Sequence, residues 1–97
     1  MPSTQDYCNF VLDQLSLLSD ITTRKMMGEY ILYYKGKIFG GIYDNRFLVK
    51  PVEAAKKLIP DAPLEIPYPG GKKMLLVEDI DNREFLKTLV ESMLSDL

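Results

Sequence analysis

The stretch Tyr30-Ile31-Leu32-Tyr33-Tyr34-Lys35-Gly36-Lys37-Ile38-Phe39-Gly40-Gly41-Ile42-Tyr43-Asp44-Asn45-Arg46-Phe47-Leu48-Val49-Lys50 decides the fold. Its first five residues are aromatic, β-branched or aliphatic, the composition of a strand. Lys35-Gly36 then supplies a two-residue turn, with glycine where positive φ is needed. A second strand follows from Lys37 to Tyr43. Asp44-Asn45 makes another tight turn, because both residue types tolerate left-handed geometry. Arg46 to Lys50 returns as a third strand. Turn chemistry alone therefore predicts a three-stranded antiparallel meander.

Two-residue turns fix register, and register assigns faces. Tyr34 should oppose Lys37, Leu32 should oppose Phe39, and Ile42 should oppose Phe47. One face then carries Ile31, Tyr33, Ile38, Gly40, Ile42, Phe47 and Val49, and the helices are expected there. The other carries Tyr30, Leu32, Tyr34, Lys37, Phe39, Gly41, Tyr43, Arg46, Leu48 and Lys50, a mixture of aromatic and basic side chains. A bulge at Gly40-Gly41 would exchange the faces beyond it. The mixed face can serve a protein partner, since aromatics and Arg are favoured anchors. It can equally stack bases while cations hold phosphates. It can also be purely structural, with rings paired across strands and Lys stems covering them. The candidate partner-binding residues on this face are Tyr30, Leu32, Tyr34, Lys37, Phe39, Tyr43, Arg46 and Lys50.

Working outward, Tyr7, Phe10, Val11, Leu15 and Leu18 recur at helical spacing, with Ser3 as cap and Asp6 as its capping-box partner. Strand character begins at Thr22. Pro51 suits the start of a short helix that Pro60 ends. Asp61 to Lys72 is a proline- and glycine-rich loop with a brief extended piece at Leu64 to Ile66, and Met74 to Val77 is a further strand. Asp81 caps a last helix whose Phe85, Leu86, Leu89, Val90, Met93, Leu94 and Leu97 form a wide apolar stripe. The expected fold is α+β in two layers: an antiparallel sheet, the meander plus one or two further strands, with helices packed on one face, in the order α-β-β-β-α-β(β)-α. One domain is expected to span residues 1–97.

A chain of 97 residues can bury an adequate core without staples. Net charge is -2, which gives no global basic signal for nucleic acid. The charge is nonetheless uneven. Asp6, Asp13 and Asp20 mark an acidic start, Glu78, Asp79, Asp81, Glu84, Glu91 and Asp96 an acidic end, and Arg24 to Lys50 is mainly basic. One cysteine, Cys8, rules out an internal disulfide and suits an intracellular setting. No apolar run is long enough for a membrane span, and with no basic region followed by an apolar run at the start no signal sequence is expected.

With no histidine, the usual serine and cysteine triads cannot be assembled. Cys8 reads as a small packed side chain. Glu78, Asp79 and Asp81 could attract Mg²⁺ but fit helix capping and the helix dipole better. Gly70-Gly71-Lys72-Lys73 lacks the spacing of a phosphate loop. No catalytic residue, cofactor or metal is expected.

Thr22-Thr23-Arg24-Lys25-Met26-Met27-Gly28-Glu29-Tyr30, Tyr33-Tyr34-Lys35-Gly36-Lys37, Phe39-Gly40 and Phe47-Leu48-Val49-Lys50 together resemble the N-terminal domain of the TfoX/Sxy family. The run Arg24, Met26, Gly28, Tyr30, Tyr34, Gly36 carries the resemblance most specifically. Family members often have Phe at the position of Met27 and Gly at that of Ile31, and the regulators carry a second, helical domain. The resemblance implies a bacterial cytoplasmic protein related to regulators of natural competence that act with the cyclic-AMP receptor protein. It implies no enzymatic activity. It adds Arg24 to the candidate partner-binding residues, with Tyr30 and Tyr34 beside it. A protein partner is expected first, with the transcription machinery as its class. Nucleic-acid binding and homodimerisation are the alternatives, and no membrane association is expected.

Overall fold

Three two-residue turns shape the sheet. Met27-Gly28, Lys35-Gly36 and Asp44-Asn45 each have both residues at positive φ, between 52° and 84°. This is the hairpin turn whose twist matches that of the strands it joins. In the computed structural model, which describes residues 3–97, they connect β1 (Ile21–Met26), β2 (Glu29–Tyr34), β3 (Lys37–Tyr43) and β4 (Arg46–Val49). Two of these turns match the sequence reading. The third, Met27-Gly28, makes the meander four-stranded by adding β1 at its edge. β5 (Leu64–Glu65) and β6 (Met74–Leu76) extend the far side, and the antiparallel sheet runs β1-β2-β3-β4-β6-β5.

The register holds one surprise. Tyr33 faces Ile38 as the turn requires, but Leu32 faces Gly40 rather than Phe39. Phe39 is therefore the extra residue of a bulge, one position before the glycine pair where a bulge was anticipated. Past the bulge the expected faces hold: Gly40, Ile42, Phe47 and Val49 point to the helices, and Gly41, Tyr43, Arg46 and Leu48 point away. Before it they are exchanged. Tyr30, Leu32 and Tyr34 lie on the helix side and are buried, while Ile31, Tyr33 and Ile38 lie on the open side.

The helix layer is α1 (Gln5–Gln14), α2 (Glu53–Leu58) and α3 (Arg83–Met93), the last continued by a short 3₁₀ turn at Leu94–Asp96. Cys8, Val11 and Leu15, then Ala55, then Leu86, Leu89, Val90 and Met93 share one core with the helix-facing strand residues. This is the two-layer α+β arrangement expected from the sequence. The helix starts are shifted by one residue. Thr4, not Ser3, caps α1 by accepting from the Tyr7 amide at 3.1 Å, and Asn82, not Asp81, caps α3 through the Phe85 amide at 3.0 Å.

Ser3 does different work. Its amide donates to the Gly28 carbonyl and to Glu29 Oε1, and its hydroxyl accepts from the Asn45 amide. Asn45 Oδ1 in turn accepts from the Thr4 amide at 3.0 Å. The start of α1 is thereby strapped across the β1–β2 and β3–β4 turns. Gln14 donates to the Ile80 carbonyl at 2.9 Å and Asp13 accepts from Arg83 at 2.7 Å, which ties the far end of α1 to the entry of α3.

Candidate functional site: the open face of the sheet

The side of the sheet away from the helices is only partly covered. Its cover is the loop from Ile66 to Lys73, held down by Arg46. The Arg46 Nε donates to the Tyr43 carbonyl at 3.1 Å, Nη1 pairs with Glu65 at 2.6 Å, and Nη2 donates to the carbonyls of Ile66 and Pro67. A planar fork of donors suits this divided task, which a lysine could not perform. The loop then turns at Tyr68-Pro69-Gly70-Gly71. The Gly71 amide donates to the Tyr68 carbonyl at 2.9 Å, and Gly70 sits at φ 86°. Proline second and a positive-φ glycine third define a type II turn. That turn presents Tyr68, 55% exposed, over the sheet.

Tyr68 meets Tyr43, with ring centroids 6.0 Å apart and planes tilted by 52°. Tyr43 lies down on Gly41, where a Cβ would come within 2.7 Å of the ring. The tyrosine pair divides the face. On one side is a groove of about 640 Å³ floored by Ile38 and Tyr43 and lipped by Lys50, Lys72 and Lys73. On the other is a cleft of about 430 Å³ between Met26, Met27, Ile31 and the two rings. Met27 is 96% exposed at the tip of its turn, and Met26, Ile38 and Ile66 are exposed as well.

Burial pushes the Tyr43 phenol above its ordinary pKa of 10.0, with the neighbouring Tyr68 and Glu29 adding to the effect, and burial alone raises Tyr7. The folded state therefore favours both neutral phenols. Their contribution to stability is complete below the ordinary pKa and is lost as pH rises through the raised folded values. In an alkaline titration followed by tyrosinate absorbance, Tyr43→Phe is expected to remove part of the late-rising signal. Loss of early-rising signal instead would contradict the burial of this phenol.

The structure divides the sequence-derived candidates. Tyr30, Leu32, Tyr34 and Phe39 are core residues of the helix side, displaced from the open face by the bulge at Phe39. Lys37 is exposed but pairs with Tyr34, on the helix side of the sheet. Arg46 is on the open face with its guanidinium occupied by the loop. Arg24, opposite Ile31, lies on the open face and is exposed, and Tyr43 and Lys50 line the groove. Lys25 and Lys35 stand over the Tyr30 and Tyr34 rings at 5.9 and 5.5 Å, so the expected covering of rings by lysines occurs on the helix side. Sequence reasoning missed Met26, Met27, Ile31, Ile38, Tyr68, Lys72 and Lys73. Gly70-Gly71 marked the turn that brings the last three to the face, but nothing local indicated where the loop would land.

No group of three or more Cys, Asp or Glu side chains placed to hold a metal ion occurs among the described residues, and Glu78, Asp79 and Asp81 form no such group. Cys8 is buried, and its thiol pKa is raised by burial, partly offset by a hydrogen bond with Thr23. No helix among the described residues is long and apolar enough to cross a membrane.

A helix-backed antiparallel sheet with one open, aromatic and cation-fringed face defines the class: a small one-sided α+β domain. The chain belongs to the TfoX N-terminal domain family, whose model matches residues 13–94. It is similar to a protein of Spirochaeta aurantia described as an uncharacterized 12.7 kDa protein in the trpE 5′ region, with 34% identity over 80 residues that make up 82% of this chain and 70% of that one. No solved structure matches it.

Proposed function

We propose that this domain is a non-enzymatic binding module that contacts a protein partner through the open face of its sheet. The observation that carries the reading is the gathering of Met26, Met27, Ile38 and Tyr68 around two adjoining clefts. Large exposed apolar side chains grouped on one face mark interaction sites, whereas scattered ones do not. Aromatic and methionine side chains are also the types enriched in such contacts. Around them stand Arg24, Lys50, Lys72 and Lys73, which form no ion pair among the described residues, while the Glu65 and Glu29 carboxylates are already bonded. The fitting partner is an apolar surface with acidic flanks. Family membership suggests a cytoplasmic component of the transcription machinery as its class.

A photoreactive residue placed at Ile38 is expected to crosslink one protein species in cells. The crosslink should vanish in a Lys50→Glu/Lys72→Glu background and should not form from Phe10 on α1. Equal capture from both positions, or capture indifferent to the charge reversal, would count against the reading. A crosslink to a second copy would make the face a homodimer interface.

The two tyrosine rings beside three lysines also suit a single-stranded nucleic acid. Amide shifts at Tyr43, Lys50, Lys72 and Lys73 on adding mixed oligonucleotides, weakening steeply with salt, would favour that second reading over a protein partner.

A further inference from the structure

We infer that the free edge of β1 is a second recognition element, which accepts an extended acidic segment of a partner as a seventh strand. The inference rests on the reading of the domain as protein-binding, but it concerns a surface separate from the groove. β1 is one of the two outer strands of the sheet. The other, β5, has two residues and follows Pro63, so it offers little to pair with. β1 has six residues without a proline, and Thr22 to Met26 are all exposed. The two-residue turn at Met27-Gly28 makes Met26 and Glu29 a hydrogen-bonded pair. By alternation Arg24 and Thr22 also bond to β2, and the N–H and C=O groups of Ile21, Thr23 and Lys25 point outward. An added strand would take these groups as its ladder.

Charge selects the occupant. Arg24 projects to the open face and Lys25 to the helix face, and neither has an ion pair among the described residues. A second copy of β1 would add two further cations along the same short ladder with no acidic residue between Thr22 and Met26 to offset them, and concentrating like charge in neighbouring strands is unfavourable. Lysine at an edge is a known guard against self-pairing. The same cations attract a strand with glutamate or aspartate on both faces.

The test uses the isotope-labelled full chain with a blocked peptide of alternating glutamate and valine at millimolar concentration. The lysine–valine counterpart serves as control. Amide exchange at Ile21, Thr23 and Lys25 is expected to slow by about fivefold or more with the acidic peptide alone, the protection that partial occupancy gives. Thr23→Pro removes one outward N–H, along with the bond from the Thr23 hydroxyl to the Ile31 carbonyl at 3.2 Å that valine also lacks, and should abolish the protection. Thr23→Val keeps that N–H and should preserve it. Lys25→Glu, which leaves the backbone intact, should weaken the acidic peptide and admit the basic one. Shifts confined to Lys50, Lys72 and Lys73 would overturn the inference while leaving the groove as a protein site. Edge protection that exists without peptide and disappears on dilution would overturn it in favour of self-pairing. No protection with either peptide would overturn it outright.

Discussion

Replacing Phe39 with alanine is expected to destabilise the fold by about 3–5 kcal/mol, a large part of the 5–15 kcal/mol that holds such domains together. Phe39 is fully buried and meets Phe47 edge-on, with ring centroids 6.4 Å apart. As the bulged residue of β3 it has no register partner on β2, and the bond its carbonyl accepts from the Lys50 amide at 2.9 Å survives truncation to alanine, so the loss reads the side chain alone. The urea midpoint, read by far-ultraviolet circular dichroism, checks this. Strict alternation along β3 would put Phe39 on the open face, where truncation costs less than about 1 kcal/mol. A small loss would therefore show that the bulge is misplaced.

Gly40→Ala is expected to be as damaging, at about 3 kcal/mol or more. A Cβ there would run into the Leu48 carbonyl oxygen and lie 3.0 Å from the Val49 Cα and 3.2 Å from the Leu48 carbonyl carbon. All three obstacles are backbone of the paired strand, so relief requires β3 and β4 to separate. Gly36→Ala is the internal comparison. Gly36 has φ 79° and open space around it, so alanine meets only backbone strain of about 1 kcal/mol. Equal midpoints for the two variants would remove close strand approach as the reason for glycine at position 40.

These two neighbours also show how far the sequence could be read. The turns at Lys35-Gly36 and Asp44-Asn45 carry their own signature, and the faces past Gly40 follow from them. The slip at Phe39 does not, because the energy of burying a phenylalanine outweighs one regular ladder step, and that balance is decided by the helices above. The turn at Met27-Gly28 was hidden because methionine does not favour positive φ, yet Met27 adopts 53°. Arg46 looked like a surface cation, and its true neighbours, Glu65, Ile66 and Pro67, lie some twenty residues further along. Lys72 and Lys73 follow a glycine pair that marks a loop without saying where it lands, and only the type II turn before them carries them to the groove.

The Arg46 clasp has a thermodynamic consequence. A loop that must be ordered on binding subtracts from affinity the entropy of every side chain and backbone torsion it freezes. Here the segment bearing Tyr68 is already anchored through a carboxylate and two main-chain carbonyls. A partner of the proposed kind would meet a wall whose backbone is already held, so the ordering of that one loop would not be subtracted from its affinity.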